Sequence, residues 1–217
     1  MRFDIITIFP AIFDSYFNES ILKRAQESGA IEIYSHDLRA GTTDKHRTVD
    51  DKPYGGNPGM ILKVEPVVRA LRSLPVLPKR RIVLFDPAGA QFRQARARRY
   101  TKLDQLILIC GRYEGFDERV KDYVDDIVSI GPYVLSGGEL AAMVIVEAVG
   151  RLQKGVLGNV ESLNEESYSS EGYVEYPQYT RPEVFEGRAV PQVLLSGNHK
   201  KIAAWQKVHS RKPSVQR

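Results

Sequence analysis

Short, unbroken apolar runs alternate with amphipathic stretches along the first two thirds of the chain. Ile5-Ile6-Thr7-Ile8-Phe9 is β-rich, and Pro10 then stands at a helix-start position ahead of Phe13, Phe17 and Ile21 at spacing four. This predicts a strand followed by an amphipathic helix that Gly29 stops. Ile31 to Tyr34 reads as a second strand. Pro66 opens a helix carrying Val67, Val68, Leu71 and Leu74; Ile82 to Phe85 is a buried-looking strand ending at Asp86-Pro87, and Arg93 to Arg99 a basic helix. Leu106 to Cys110 and Ile127 to Ile130 are further apolar runs, stopped by Gly111 and by Gly131-Pro132. A long helix follows from Glu139 to Leu152, with Leu140, Met143, Val144 and Glu147 at turn spacing. Continuous apolar strands separated by helices predict an α/β fold, a parallel sheet with helices on both faces.

Two stretches depart from this pattern. Asp37 to Gly59 is polar and without sustained period, a long loop of the kind that is usually functional or mobile. Asn159 to Glu175 is acidic and Ser-rich, which marks a flexible linker or lid. The expected organisation is therefore a domain over 1–158, a linker over 159–175 and a small C-terminal domain over 176–217.

Composition narrows the setting. With 42% hydrophobic and 27% charged residues among 217, the chain can bury a core. Its longest apolar run, Leu140 to Val146, is far short of the ~20 residues a membrane span needs. A single cysteine, Cys110, leaves no intramolecular disulfide and suits a reducing compartment. The N-terminus lacks the pattern of a signal peptide, so a cytoplasmic location is expected. The net charge of +4 permits a polyanionic partner without requiring one. Its distribution is more telling: Arg93, Arg96, Arg98, Arg99 and Lys102 form a basic run, and six basic residues with no acid follow His199.

Neither G-x-G-x-x-G after a strand nor G-x-x-x-x-G-K-[ST] occurs, which argues against an NAD-binding Rossmann enzyme and a P-loop NTPase. Instead, Gly and Pro punctuate the strand ends, where an open parallel sheet holds its ligand: Pro87 and Gly89, Gly111, Gly131-Pro132, Gly137-Gly138. Ordinary turns are the competing explanation. Gly111 to Arg119 places charges directly after a strand. Ser129 to Glu139 mixes small and apolar residues, a segment able to wrap an adenine. Tyr54 to Met60 is a tight loop, equally well a pair of turns. The four histidines lack ligand spacing, so no zinc site is expected and no metal-ligating residue is assigned.

Five blocks carry a resemblance: Val49 to Met60, Gly111 to Val120, Ser129 to Leu140, Pro177-Gln178-Tyr179-Thr180-Arg181-Pro182-Glu183, and Leu195-Ser196-Gly197-Asn198-His199. Together they resemble the bacterial tRNA (guanine-37-N1)-methyltransferases of the trefoil-knotted SPOUT superfamily. The resemblance implies a C-terminal trefoil knot in the α/β domain, a small helical C-terminal domain, and a homodimer with the active site at its interface. It also implies transfer of a methyl group from S-adenosyl-L-methionine to N1 of guanosine 37 in tRNA, with a Mg²⁺ requirement. Carried over by position, the cofactor residues are Pro87, Gly89, Gly111, Tyr113, Ser129, Ile130, Gly131, Pro132, Tyr133, Val134, Leu135 and Gly138. His46, Asp50, Gly59, Arg112 and Glu114 match substrate-binding residues. Arg151 matches an arginine near guanine O6, and Glu166 in Glu166-Ser167-Tyr168 stands where the family carries the aspartate base of Asp-Ser-Phe, with Glu165 the alternative. The C-terminal domain is expected to be shortened after Trp205. An RNA-binding protein without turnover, or a SPOUT methyltransferase with another target nucleotide, are the alternative expectations.

Overall fold

The computed structural model describes residues 1–158, 166–170 and 172–210. In chain order the first unit contains β1 (Arg2–Thr7), α1 (Asp14–Phe17), α2 (Ser20–Glu27), β2 (Glu32–Asp37), β3 (Asp50–Asp51), β4 (Ile61–Leu62), α3 (Val64–Ser73), β5 (Arg80–Gln91), α4 (Gln94–Tyr100), β6 (Gln105–Ile109), β7 (Asp126–Ser129) and α5 (Glu139–Gly150). Five of these strands pair in parallel in the order β2-β1-β6-β5-β7, the α/β architecture expected from the apolar runs. Side chains alternate between the two faces of each strand, so both faces need cover. Phe3, Ile5, Val83, Leu106 and Leu108 face one core together with Leu22, Ile145 and Val149. Ile6, Leu84, Ile107 and Ile109 face the other, with Val67, Ala70 and Leu71 of α3.

Several elements differ from the expected ones for identifiable reasons. The helix expected from Pro10 through Ile21 is broken into a 3-10 turn over Pro10–Phe13, then α1, then α2, because Glu19 is extended and Ser20 takes a positive φ. Within Asp37 to Gly59 there is a 3-10 turn at Leu38–Gly41 and the short strand β3, which pairs with β4. Strand β5 does not stop at Phe85 but runs to Gln91, its register against Val128 shifting between Phe85 and Ala90. Helix α5 turns the opposite face inward: Ala141, Ala142, Ile145, Val146 and Val149 are buried, whereas Leu140 and Val144 are exposed. Small residues win the buried face because they let the helix lie close to the sheet.

Beneath β1 lies a polar cluster. The buried Asp4 carboxylate accepts from Arg2 Nε (2.8 Å) and from Gln105 Nε2 (2.7 Å), and it pairs with His36 Nε2 at 2.7 Å. Burial alone would push this carboxyl up, but the bonds from His36, Arg2 and Gln105 outweigh it and hold it at about 2. Because the folded value is depressed below the unfolded ~3.9, the stabilisation is complete above about pH 4 and disappears as the pH falls through about 2. Asp4→Asn is expected to cost about 2 kcal/mol at pH 7 and nothing further near pH 2, as read by denaturant melts at the two pH values.

The second unit, Asn159–Arg217, carries a hairpin of β8 (Val184–Phe185) and β9 (Arg188–Ala189), then α6 (Gln192–Leu195) and α7 (His199–His209). The hairpin turns at Glu186-Gly187, both with positive φ, the conformation that matches the twist of paired strands. Asn198 caps α7 by accepting from Lys201 N at 3.1 Å. Trp205 on that helix stacks on His209 at 4.0 Å and meets Tyr176 and Tyr179 edge-on. Trp205→Ala is expected to cost this unit about 2 kcal/mol, seen as faster hydrogen exchange in α7 with β6 unchanged.

Candidate functional site

A cavity of about 390 Å³ opens where β6 and β7 end and β5 shifts register. Three segments wall it, Leu84 to Pro87, Gly111 to Phe116, and Val128 onward through the loop into α5, and Glu118 and Lys121 complete the lining. The loops approach one another backbone to backbone. Gly138 N donates to Gly111 O at 2.9 Å, and Arg112 bridges to Gly137 in antiparallel fashion. A Cβ on Gly138 would lie 2.8 Å from Cys110 Cα and 3.0 Å from Gly111 N, so only glycine fits there. Tyr113 holds φ +60 in the cavity wall, a left-handed conformation costly for a tyrosine and characteristic of functional loops.

Most residues expected to hold a cofactor meet in this cavity: Pro87, Gly111, Tyr113, Ser129, Ile130, Gly131, Tyr133, Val134, Leu135 and Gly138 all line it. Gly89 and Pro132 do not. A Cβ on Gly89 would strike the Ile127 and Val128 backbone, so that glycine serves the passage of β5 over β7 rather than the cavity surface. Of the expected substrate residues, Arg112 and Glu114 line the cavity, and Gly59 packs directly against the Glu114 side chain, whose backbone N donates to Met60 O at 3.0 Å. His46 is exposed outside it, and Asp50 sits in β3 opposite Leu62. Arg151 caps the C-terminus of α5, its N donating to Glu147 O at 3.0 Å. Glu166 is partly buried in the second unit. Residues 159–165, among them Glu165, together with residue 171 and the basic residues Arg211, Lys212 and Arg217, lie outside the described residues.

Two groups of polar residues escaped the sequence reading. On one wall Lys121 Nζ stands 2.8 Å from Glu118 Oε2 and 3.4 Å from Asp86 Oδ2; the hydrogen bond to Glu118 raises the lysine's pKa above the usual value. Asp86 is fixed by accepting from Ala88 N at 2.8 Å. The second group is Glu139, almost wholly buried at the start of α5, with Thr7 and Arg112. An acid opening a helix reads as a dipole partner, which hid its contact with a strand 132 residues earlier. Among the described residues there is no cluster of three or more potential metal ligands. No helix there is long and apolar enough to cross a membrane.

The fold and site define a class: an α/β protein whose small-molecule cavity is built by glycine-rich loops beyond a parallel sheet. A family model described as "tRNA (Guanine-1)-methyltransferase TrmD" matches residues 1–217. Curated relatives named tRNA (guanine-N(1)-)-methyltransferase include one from Chloroflexus aggregans, 55% identical and covering 95% of this chain and 82% of its own length. Another, from Dictyoglomus turgidum, is 54% identical over 95% and 84% of the two chains, and one from a Geobacter species is 50% identical over 99% and 87%. The chain belongs to the TrmD family of tRNA (guanine-1)-methyltransferases, which lies within the SPOUT superfamily, as the five sequence blocks suggested.

Proposed function

We infer that this chain transfers a methyl group from S-adenosyl-L-methionine to N1 of guanosine 37 in tRNA. The observation that carries the reading is family membership across all 217 residues. The cavity fits the cofactor. Its glycine backbones offer hydrogen-bonding edges at close approach, Phe85, Ile130 and Leu135 supply apolar walls for an adenine, and Asp86, Glu118 and Lys121 offer charges for a zwitterionic amino-acid end. Once bound, the cofactor supplies an already activated, electrophilic methyl group.

The chain's residues must then deal with the guanine. N1 carries a proton near neutral pH, so a general base is needed, and the charge displaced onto O6 needs a cationic partner. Glu166 is the base and Arg151 the partner for O6. Arg112 and Glu114 contact the base, while His46, Asp50 and Gly59 hold the anticodon region. The basic run on and beside α4 neutralises phosphates in a salt-dependent manner.

The finer architecture belongs to the same proposal: a trefoil knot formed by the loops that cross at Gly111 and Gly138, a linker or lid over 159–175, and a tRNA-binding domain over 176–217. A homodimer with the active site at its interface is supported by the neighbouring exposed apolar side chains Phe9, Ile12, Tyr16, Leu140 and Val144. The described residues offer no ligand cluster that fits the Mg²⁺ implied by the resemblance, so no residue is assigned to it; the protein works in the cytoplasm. The test is transfer of labelled methyl to tRNA transcripts carrying G37 or A37, with mass spectrometry of the product nucleoside. N1-methylguanosine at position 37 is expected. Methylation elsewhere would assign a different target, and binding of the G37 transcript without transfer would indicate an RNA-binding protein without turnover.

A further inference from the structure

Arg112 is held in an unusual way. Its Nε donates to both Glu139 oxygens, at 3.0 and 3.1 Å, and Thr7 Oγ1 donates to Glu139 Oε1 at 2.8 Å. Thr7 Oγ1 in turn accepts from Phe9 N at 3.0 Å, and the guanidinium carbon sits 4.8 Å from the centre of the Phe9 ring. Arg2 and Arg119 each present Nε and Nη2 to the two oxygens of Asp4 and Asp117, whereas Arg39 and Arg81 meet Asp37 and Asp126 through one terminal nitrogen. The fork is the strong geometry of an arginine–carboxylate pair, and a terminal nitrogen is the other contact seen in this protein. Arg112 instead commits only Nε, and among the described residues neither terminal nitrogen has a protein acceptor, although the residue lines the cavity.

We propose that Thr7 and Glu139 are positioning residues that lock Arg112 in the cavity wall, so that its two terminal nitrogens select guanine over adenine as the target base. The inference rests on the tRNA methyltransferase reading and deepens it. Guanine offers two acceptors, O6 and N7, to a guanidinium, whereas adenine presents an amino donor at the O6 position. A long side chain normally loses rotamer freedom on binding. Here Glu139 at one nitrogen and the Phe9 face beneath the plane have already removed that freedom, so selectivity is gained without ordering a loop. Glu139 is itself buried and needs its cation, which makes the arrangement mutual.

The test measures binding of full-length protein to G37 and A37 tRNA transcripts in saturating S-adenosylhomocysteine by fluorescence anisotropy, together with kcat/KM for the G37 transcript. Wild type is expected to prefer G37 by about tenfold or more. Thr7→Val and Glu139→Gln should bring that ratio toward one and lower kcat/KM for tRNA with KM for the methyl donor unchanged, and Thr7→Ser should restore both. Variants that only melt earlier while keeping the full preference and full kcat/KM would overturn the proposal, as would a wild type that methylates G37 yet binds the two transcripts equally. Because the preference is read in binding, it decides the positioning role even if no transfer occurs, an outcome that would fall on the functional reading instead.

Discussion

Glu166→Gln is expected to reduce methyl transfer to G37 tRNA by about 10²- to 10⁴-fold, the usual worth of a positioned general base, with affinity for the methyl donor unchanged. Glutamine keeps the length and most of the hydrogen bonding of the side chain but cannot take a proton. The rate-pH profile separates this from a loss of shape. Wild type, with a side chain placed to take the N1 proton, should depend less steeply on pH. The glutamine variant should instead rise steadily with pH, following ionisation of guanine N1 itself. Glu166→Asp, which restores the aspartate implied by the family resemblance, should retain substantial turnover, the pattern expected if only reach to N1 differs by one methylene. Equal rates for wild type and Glu166→Gln would remove Glu166 from the role.

Much of the fold was legible because of where the strands lie. Leu106 to Ile109 are wholly buried on both faces of the sheet, and only a central parallel strand demands four consecutive apolar side chains. The cavity loops were legible for a related reason, since Gly111 and Gly131 follow the ends of β6 and β7 and Gly138 caps the start of α5, each with a neighbouring atom within 2.8 Å of where a Cβ would stand. Helix α5 shows what periodicity leaves out. It is apolar nearly all round, so the turn spacing of Leu140, Met143 and Val144 carried no information about which face packs inward. The strand order was equally hidden, because β6 is inserted between β1 and β5 by pairings that local pattern does not encode. The Thr7–Glu139–Arg112 contact joins three distant segments that become neighbours only through that order.

The glycine at the loop crossing carries the second large effect. Gly138→Ala is expected to destabilise the first unit by roughly 1–3 kcal/mol and to weaken binding of S-adenosylhomocysteine by at least about tenfold. Gly138 has an ordinary negative φ, so the penalty owes nothing to backbone preference and arises from space alone. The added carbon would stand 2.8 Å from Cys110 Cα, 3.0 Å from Gly111 N and 3.1 Å from the Phe85 ring. Two of these three neighbours are backbone and cannot swing aside. Relief requires the Gly138 segment to part from Gly111, which breaks the 2.9 Å hydrogen bond between them and spreads two walls of the cavity at once. Gly158→Ala provides the control, because nothing lies within 4 Å of its added carbon and its melting and binding should match wild type. Calorimetric titration and thermal melts of both variants check the pair. Tight binding retained by Gly138→Ala would mean that the loops can separate without harm, and that their close crossing is not what shapes the cofactor site.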